Sequence, residues 1–216
     1  MPKLLELFSG TGSVGKAAQR LGWEVWSLDI SQEFFPRICC SIHDWNYLEY
    51  PPDFFDAVWA SIPCQHYSVL HTKSERDLVS ADAITARTIA ILQYFKRARW
   101  CVENPKDSLL FKRFSFLTRR TTDTSYCRYN GGFHGYRKNT RIASNFPLVL
   151  RHSCRGDCDA MEGKRHRTTA QRGPCKGYPS DVDFSVDQLW MIPPELCEMV
   201  VNQMALPILL EELPRE

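Results

Sequence analysis

Cys64 stands in Pro63-Cys64-Gln65, directly after the apolar run Phe55-Asp56-Ala57-Val58-Trp59-Ala60-Ser61-Ile62. Glu103 stands in Glu103-Asn104-Pro105, after Arg99-Trp100-Cys101-Val102. A thiolate is the strong soft nucleophile among side chains, and a carboxylic acid near it can donate or relay a proton. Cysteines are more often inert packing residues than reactive ones. The place of Cys64 between an apolar run and the polar stretch Gln65-His66-Tyr67-Ser68 favours the reactive reading.

A third segment has the chemistry of binding. Phe8-Ser9-Gly10-Thr11-Gly12 lies between the apolar run Lys3 to Phe8 and a helical stretch from Val14 to Leu21. Glycines there let a backbone approach a ligand closely. Asp29 ends the next apolar run, 19 residues after Gly10. A carboxylate at that place can accept bonds from both hydroxyls of a ribose. The third glycine of a dinucleotide loop is missing, as is the Gly-Lys-Ser/Thr of a phosphate loop. The pattern therefore fits an adenosine-type cofactor without a pyrophosphate, namely S-adenosylmethionine. Read alone, a short Gly-x-Gly is equally a plain turn; its strand context and Asp29 favour binding.

The elements that must position these groups are legible as an alternation. Lys3 to Phe8, Trp23 to Ile30, Phe55 to Ile62 and Arg99 to Asn104 read as strands. Val14 to Leu21, closed by Gly22, reads as a helix. So does 81–97, with Ala83, Ile84, Ala86, Ile89, Ala90 and Leu92 as its apolar positions. This predicts an α/β, doubly wound, Rossmann-like parallel sheet with crossover helices, whose strand ends gather the ligand groups. From about residue 112 the texture changes. Asn130-Gly131-Gly132 is a turn signal, 151–180 carries almost no apolar periodicity, and Pro193-Pro194 starts a helix from Pro194 to Leu206. The expected organisation is a catalytic, cofactor-binding domain at 1–145, a small target-recognition region at 146–189 and a C-terminal helix at 190–216 that packs back on the first.

Together these motifs resemble the DNA cytosine-5 methyltransferase family. Phe8-Ser9-Gly10-Thr11-Gly12 is similar to its Phe-x-Gly-x-Gly cofactor loop, Pro63-Cys64-Gln65 with Tyr67-Ser68 to its Pro-Cys-Gln motif, and Glu103-Asn104 to its Glu-Asn motif. Order and spacing agree over roughly residues 4–145, and more loosely at the C-terminal helix. The resemblance implies addition of the Cys64 thiolate to C6 of a flipped cytosine, Glu103 holding N3 and the exocyclic amine, and methyl transfer to C5. It implies that Asn104 orients the Pro-Cys-Gln loop, and that Phe8, Ser9, Gly10, Thr11, Gly12, Asp29, Ile30 and Pro63 face the cofactor. Asp44, with Trp45, occupies the place of an acidic contact to the adenine amine. Tyr136-Arg137-Lys138-Asn139-Thr140-Arg141 resembles the family's basic Gln-x-Arg-x-Arg strand, without its glutamine and with the arginines four apart. Arg137 and Arg141 are then candidates to bracket the base and its phosphate. Pro105 follows Glu-Asn where the family commonly has valine. Only about 45 residues separate Asn145 from Trp190. That is short for target recognition, so sequence reading is either crude or helped by an auxiliary specificity subunit.

Charge supports a polyanionic partner. The chain has 27 basic and 25 acidic residues for a net of +2, yet 112–176 alone carries a net +11. A block so lopsided is the electrostatic footprint of a polyanion partner, which the resemblance implies to be double-stranded DNA. RNA methylated at the same ring carbon remains the alternative, because nothing in a basic block separates ribose from deoxyribose. A non-catalytic, S-adenosylmethionine-bound module is a third reading, disfavoured by the intact Cys64 and Glu103.

Inside the basic block, Cys154-x3-Cys158-x7-His166-x8-Cys175 has the residue types of a tetrahedral zinc site, and His152 could replace one ligand. A metal would give a core-poor module a fixed shape. The alternative is reduced cysteines in a loop that orders only on nucleic acid. Arg165, Arg167 and Arg172 read as phosphate contacts either way. Cys39, Cys40, Cys101, Cys127 and Cys197 read as packing residues.

With 44% hydrophobic and 24% charged residues, the 216-residue chain is neither a collagen-like rod nor a long coiled coil nor a disordered tail. No apolar run reaches the roughly 18 residues needed to span a bilayer, so no membrane partner is expected. The start Met1-Pro2-Lys3-Leu4 does not read as a signal peptide. Nine scattered cysteines point to reduced thiols in an intracellular compartment: nucleus, bacterial cytoplasm or virus-infected cell.

Overall fold

The computed structural model describes residues 1–68, 75–129, 135–170, 176–177 and 184–211, with side chains through residue 205. The Asn130-Gly131-Gly132 turn, Arg172 and Cys175 lie outside the described residues.

Strands β1 (Lys3–Leu7), β2 (Glu24–Asp29), β3 (Ile38–Cys39), β4 (Ala57–Ser61), β5 (Arg99–Pro105), β6 (Thr121–Ser125) and β7 (Asn139–Ser144) form one sheet in the order β3-β2-β1-β4-β5-β7-β6. Neighbours are parallel except β7, which runs antiparallel to both β5 and β6. The chain winds outward from β1 to β3, then returns to β4 on the other side of β1. That reversal opens a crevice at the carboxyl ends of the strands.

The helices are α1 (Ser13–Arg20), α2 (Leu78–Tyr94), α3 (Leu110–Arg113), α4 (Val186–Trp190) and α5 (Pro194–Glu211). Alternate residues of β1 enter opposite cores. Leu4 joins Trp59 and Ile142 against Val14, Ala17 and Ala18 of α1 and Leu196, Val200 and Val201 of α5. Leu5 and Leu7 join Val58 and Val102 against Ile91 and Leu92 of α2 and Phe95 just beyond it. Burial on both faces explains why the strands read as continuous apolar runs. Each such leucine contributes about 1.5–3 kcal/mol. Small buried residues on α1 let α5 lie close, and Arg20 pairs with Glu198 across them at 2.9 Å.

Several elements differ from the sequence reading. Helix α2 buries Ala81, Thr85, Thr88, Ile91 and Leu92, while Ala83 and Ala86 are exposed. The threonines can face the core because their hydroxyls donate back to the carbonyls of Ala81 and Ile84. Pro105 is the last residue of β5, paired with Thr140, and α5 continues past Leu206 to Glu211. The expected basic strand begins only at Asn139, so Tyr136, Arg137 and Lys138 precede it. Phe146, Leu148 and Phe184 are buried in the same core as α1 and α5, which ties both ends of 146–189 to the sheet domain. Among the described residues no helix is long and apolar enough to cross a membrane.

Candidate active site

A cavity of about 380 Å³ opens at the carboxyl ends of β1, β2, β4 and β5. Phe8, Ser9, Gly10, Thr11, Asp29, Ile30, Pro63, Cys64 and Glu103 all line it. Four chain segments far apart in sequence thus converge, because parallel pairing aligns their ends: Leu7 lies beside Leu28 and Ala60, and Ser61 beside Glu103.

The glycine loop is held from below. Gly10 N donates to Asp29 Oδ2 at 2.8 Å, and Ser31 N donates to Asp29 Oδ1 at 2.9 Å. Each carboxylate oxygen keeps a further lone pair for a ligand. Gly12 caps the start of α1 with φ +68°, a conformation that a side chain disfavours. Phe8 adopts φ +57° with a bulky side chain, a strained backbone of the kind found at ligand sites. A Cβ built on Gly10 would meet nothing within 4 Å, so the loop presents bare backbone to open space. That cradle, the cavity's size and the Asp29 carboxylate fit an adenosine-bearing cofactor.

The loop that carries Cys64 is pinned at both ends. Asn104 Nδ2 donates to the Ile62 carbonyl at 2.7 Å, and Tyr67 N and Ser68 N both donate to the Cys64 carbonyl. Burial pushes the Cys64 thiol up; the Lys138 ammonium opposes this and Glu103 adds to it. Glu103 is buried, and its Oε1 accepts from the Tyr126 hydroxyl at 3.2 Å and from Thr140 Oγ1. Burial, then the Glu103 charge, pushes the Tyr126 phenol well above its ordinary range, so it stays a donor.

Several expected residues stand elsewhere. Arg141 does not line the cavity. It forms a two-pronged pair with Asp123 and lies 5.5 Å from the Phe111 ring, on the opposite face of β7 from Thr140. Strand alternation is the reason: Thr140 faces Glu103, so its neighbour cannot. Arg137 is exposed and is not among the lining residues. Asp44 is exposed and Trp45 is buried in the α2-side core; Ser41, Ile42 and His43 line the cavity in their place. Gly12 shapes the loop without lining the cavity.

Lys138 and Glu6 line the cavity without having been singled out. Lys138 Nζ donates to the Leu189 carbonyl at 3.1 Å. Glu6 is buried within β1 and accepts from Val14 N, while its Oε2 has no partner among the described residues. Burial raises its carboxyl to about 7, against backbone donors that lower it. The signal was present: a carboxylate inside Lys3-Leu4-Leu5-Glu6-Leu7 is anomalous for a strand buried on both faces.

In the basic region Cys127, Cys154, Cys158 and His166 come together, with their ligand atoms all within 4.8 Å of one another. Cys127 had read as packing. His152 is not in the group; its ring contacts the Arg128 guanidinium instead.

No family model matches the chain. A protein of frog virus 3 (isolate Goorha), named "Probable DNA (cytosine-5)-methyltransferase", is 31% identical over 176 residues, which span 74% of this chain and 79% of that protein. Among solved structures, the Entamoeba histolytica methyltransferase EhMeth aligns with a TM-score of 0.51 at 16% identity, over 70% of this chain and 57% of that one. The S. pombe Dnmt2 methyltransferase aligns with a TM-score of 0.49 at 13% identity, over 71% and 53%. The chain thus spans a little over half the length of these two solved proteins. The EhMeth likeness is one of fold: a methyltransferase-type α/β sheet.

Proposed function

The chain belongs to the DNA (cytosine-5)-methyltransferase family, and from that premise we propose that it methylates C5 of a flipped cytosine in double-stranded DNA through a covalent bond between Cys64 and ring carbon C6. The observation that carries this reading is the shared cavity: Cys64, Glu103 and the Asp29-braced glycine loop line one space. The family implies S-adenosylmethionine, which when bound supplies an electrophilic methyl group on a sulfonium. Gly10 and its neighbours would cradle it, and the remaining lone pairs of Asp29 would take its ribose hydroxyls.

Cytosine C5 is a weak nucleophile. The Cys64 sulfur bonds to C6 as the S–H proton leaves to water, and the ring's electrons gather at C5. Glu103 holds N3 and the exocyclic amine and relays a proton to N3, which neutralises the developing charge. C5 would then take the methyl group, with the pair of the broken methyl–sulfur bond left on the cofactor's sulfur. Loss of the C5 proton to water, breakage of the C6–S bond with its electron pair returning to sulfur, and return of the N3 proton restore the aromatic ring. Lys138 favours the thiolate throughout. Tyr126 and Thr140 fix Glu103 through Oε1, so Oε2 is the oxygen offered to the base.

DNA is preferred as the polymer because the frog virus 3 relative is named for it; the strongly basic 112–176 block suits either polyanion. The 146–189 region, with exposed Arg137, would follow the phosphates, aided by a separate specificity subunit if its own reading is crude. The test is a duplex carrying 5-fluorocytosine, whose fluorine cannot leave C5 as a proton does. A covalent adduct should form with the wild type and not with Cys64→Ala. An adduct on RNA alone would move the assignment to RNA, and none on either polymer would end the covalent reading.

A further inference from the structure

We propose that Cys127, Cys154, Cys158 and His166 bind one structural zinc ion, and that this ion fastens the hairpin of the basic region to the turn after β6, whose Tyr126 donates to Glu103. The four ligand atoms lie within 4.8 Å of one another. His166 Nε2 is 3.5 Å from Cys154 Sγ and 3.4 Å from Cys158 Sγ. Zinc–sulfur and zinc–nitrogen bonds of ordinary length at a tetrahedral angle place S and N about 3.5 Å apart. Three thiolates and one imidazole complete the coordination shell, so the site is structural rather than catalytic.

The local chain is built around these atoms. Gly156, at φ +87°, turns the segment from Cys154 to Cys158, and its N–H donates to Cys154 Sγ at 3.3 Å. A sulfur that accepts a backbone N–H is already placed as a ligand thiolate would be. His166 comes from a hairpin of two-residue strands, β8 (Met161–Glu162) and β9 (Arg165–His166), where it pairs with Met161. The buried residues around the site are Cys127, Cys154, Cys158 and Ala160, with Met161 packed on them. Such a cluster buries too little apolar surface to hold two such short strands, and a metal crosslink supplies what burial does not. The cysteines are present as free thiols.

The fourth ligand gives the site a purpose. Cys127 lies in the turn Tyr126–Arg128 that follows β6, next to the tyrosine that donates to Glu103. Zinc at this place would connect the β8–β9 hairpin to the tyrosine that orients Glu103, whose part in holding the base rests on the proposed function.

The test uses the full chain, purified without chelators from zinc-supplemented cells, with metal measured by mass spectrometry. One zinc per chain is expected, lost in Cys127→Ser, Cys154→Ser and Cys158→Ser and retained in Cys39→Ser, whose side chain lies outside the group. Should the serine variants fail to fold, cobalt exchanged into the wild type reads the same site through tetrahedral d–d bands and a thiolate charge-transfer band. A wild type that holds no zinc and yields no tetrahedral cobalt spectrum overturns the proposal. So does full zinc in Cys127→Ser with loss in Cys175→Ser, or a Cys154–Cys158 disulfide in the native protein. None of these readouts involves methyl transfer, so failure here leaves the proposed activity standing.

Discussion

Asn104 holds Ile62: its Nδ2 donates at 2.7 Å to the carbonyl two residues before Cys64. Strand β5 thereby sets the position of Cys64, just past the end of β4, as well as that of Glu103. Asn104→Ala removes the donor and leaves a buried carbonyl unpaired, a loss of about 1–3 kcal/mol. The adduct rate on 5-fluorocytosine DNA should fall at least about tenfold, since misplacement of a reacting atom is costly. Cofactor affinity should change little. Thermal melting, adduct kinetics and cofactor titration separate these effects; an unchanged adduct rate would remove Asn104 from the positioning of Cys64.

Glu6 should make stability depend on pH. Its carboxyl is raised by burial from 4.5 to about 7. Between those values the unfolded chain has released a proton that the folded chain retains, so stability is full below about 4.5 and declines as pH rises to about 7. The total is about 3 kcal/mol. Glu6→Gln keeps the size without the titration. Urea unfolding from pH 5 to 8 should show a wild type that loses stability relative to the variant as pH rises.

Gly15 and Gly10 should respond to alanine in different ways. A Cβ at Gly15 would collide with Glu6 Oε2 and lie 3.0 Å from Val25 Cγ1, both held in place by packing. Gly15→Ala should cost about 1–3 kcal/mol of stability by overpacking. At Gly10 the space is open and φ is +45°, so the cost is backbone strain of about 1 kcal/mol, with the added methyl projecting where the cofactor would lie. Gly10→Ala should therefore weaken S-adenosylmethionine binding more than it lowers the melting temperature. Calorimetric titration and melting curves of the two variants check the contrast.

Legibility followed the parallel sheet. Strands β1, β2, β4 and β5 carry local apolar runs, and the groups at their ends could be named because such ends must converge. What escaped were residues placed by pairing over distance. Lys138 reaches the cavity from the segment before β7, and Cys127 meets Cys154 and His166 only after the chain has returned. For Arg141 the sequence offers only analogy of motif, and the face on which it lies depends on the β5–β7 register, where it stands opposite Asn104 while Ile142 stands opposite Glu103. A one-residue difference in that register would have exchanged Thr140 and Arg141 between faces. The helix α2 face was misjudged because threonine hydroxyls that bond their own helix count as buried, and no hydrophobic pattern records that.

Lys138 should govern the pH dependence of attack by Cys64. Burial pushes this thiol up, and Lys138 is the first opposing charge. Most Cys64 is then protonated at neutral pH, and the adduct rate should rise with pH as the thiolate fraction grows. Lys138→Met keeps the stem and removes the charge. Without it the thiolate is less favoured, so the rising limb should move to higher pH and the rate at neutral pH should drop, while the plateau at high pH stays near the wild-type value. Arg141→Met serves as the comparison: its guanidinium is occupied by Asp123, so it should lower stability and leave the limb where it was. Adduct kinetics from pH 6.5 upward until the wild-type rate levels off distinguish the two. A Lys138→Met profile lowered uniformly, without displacement, would mean that the lysine holds Leu189 in place and has no part in the ionisation of Cys64.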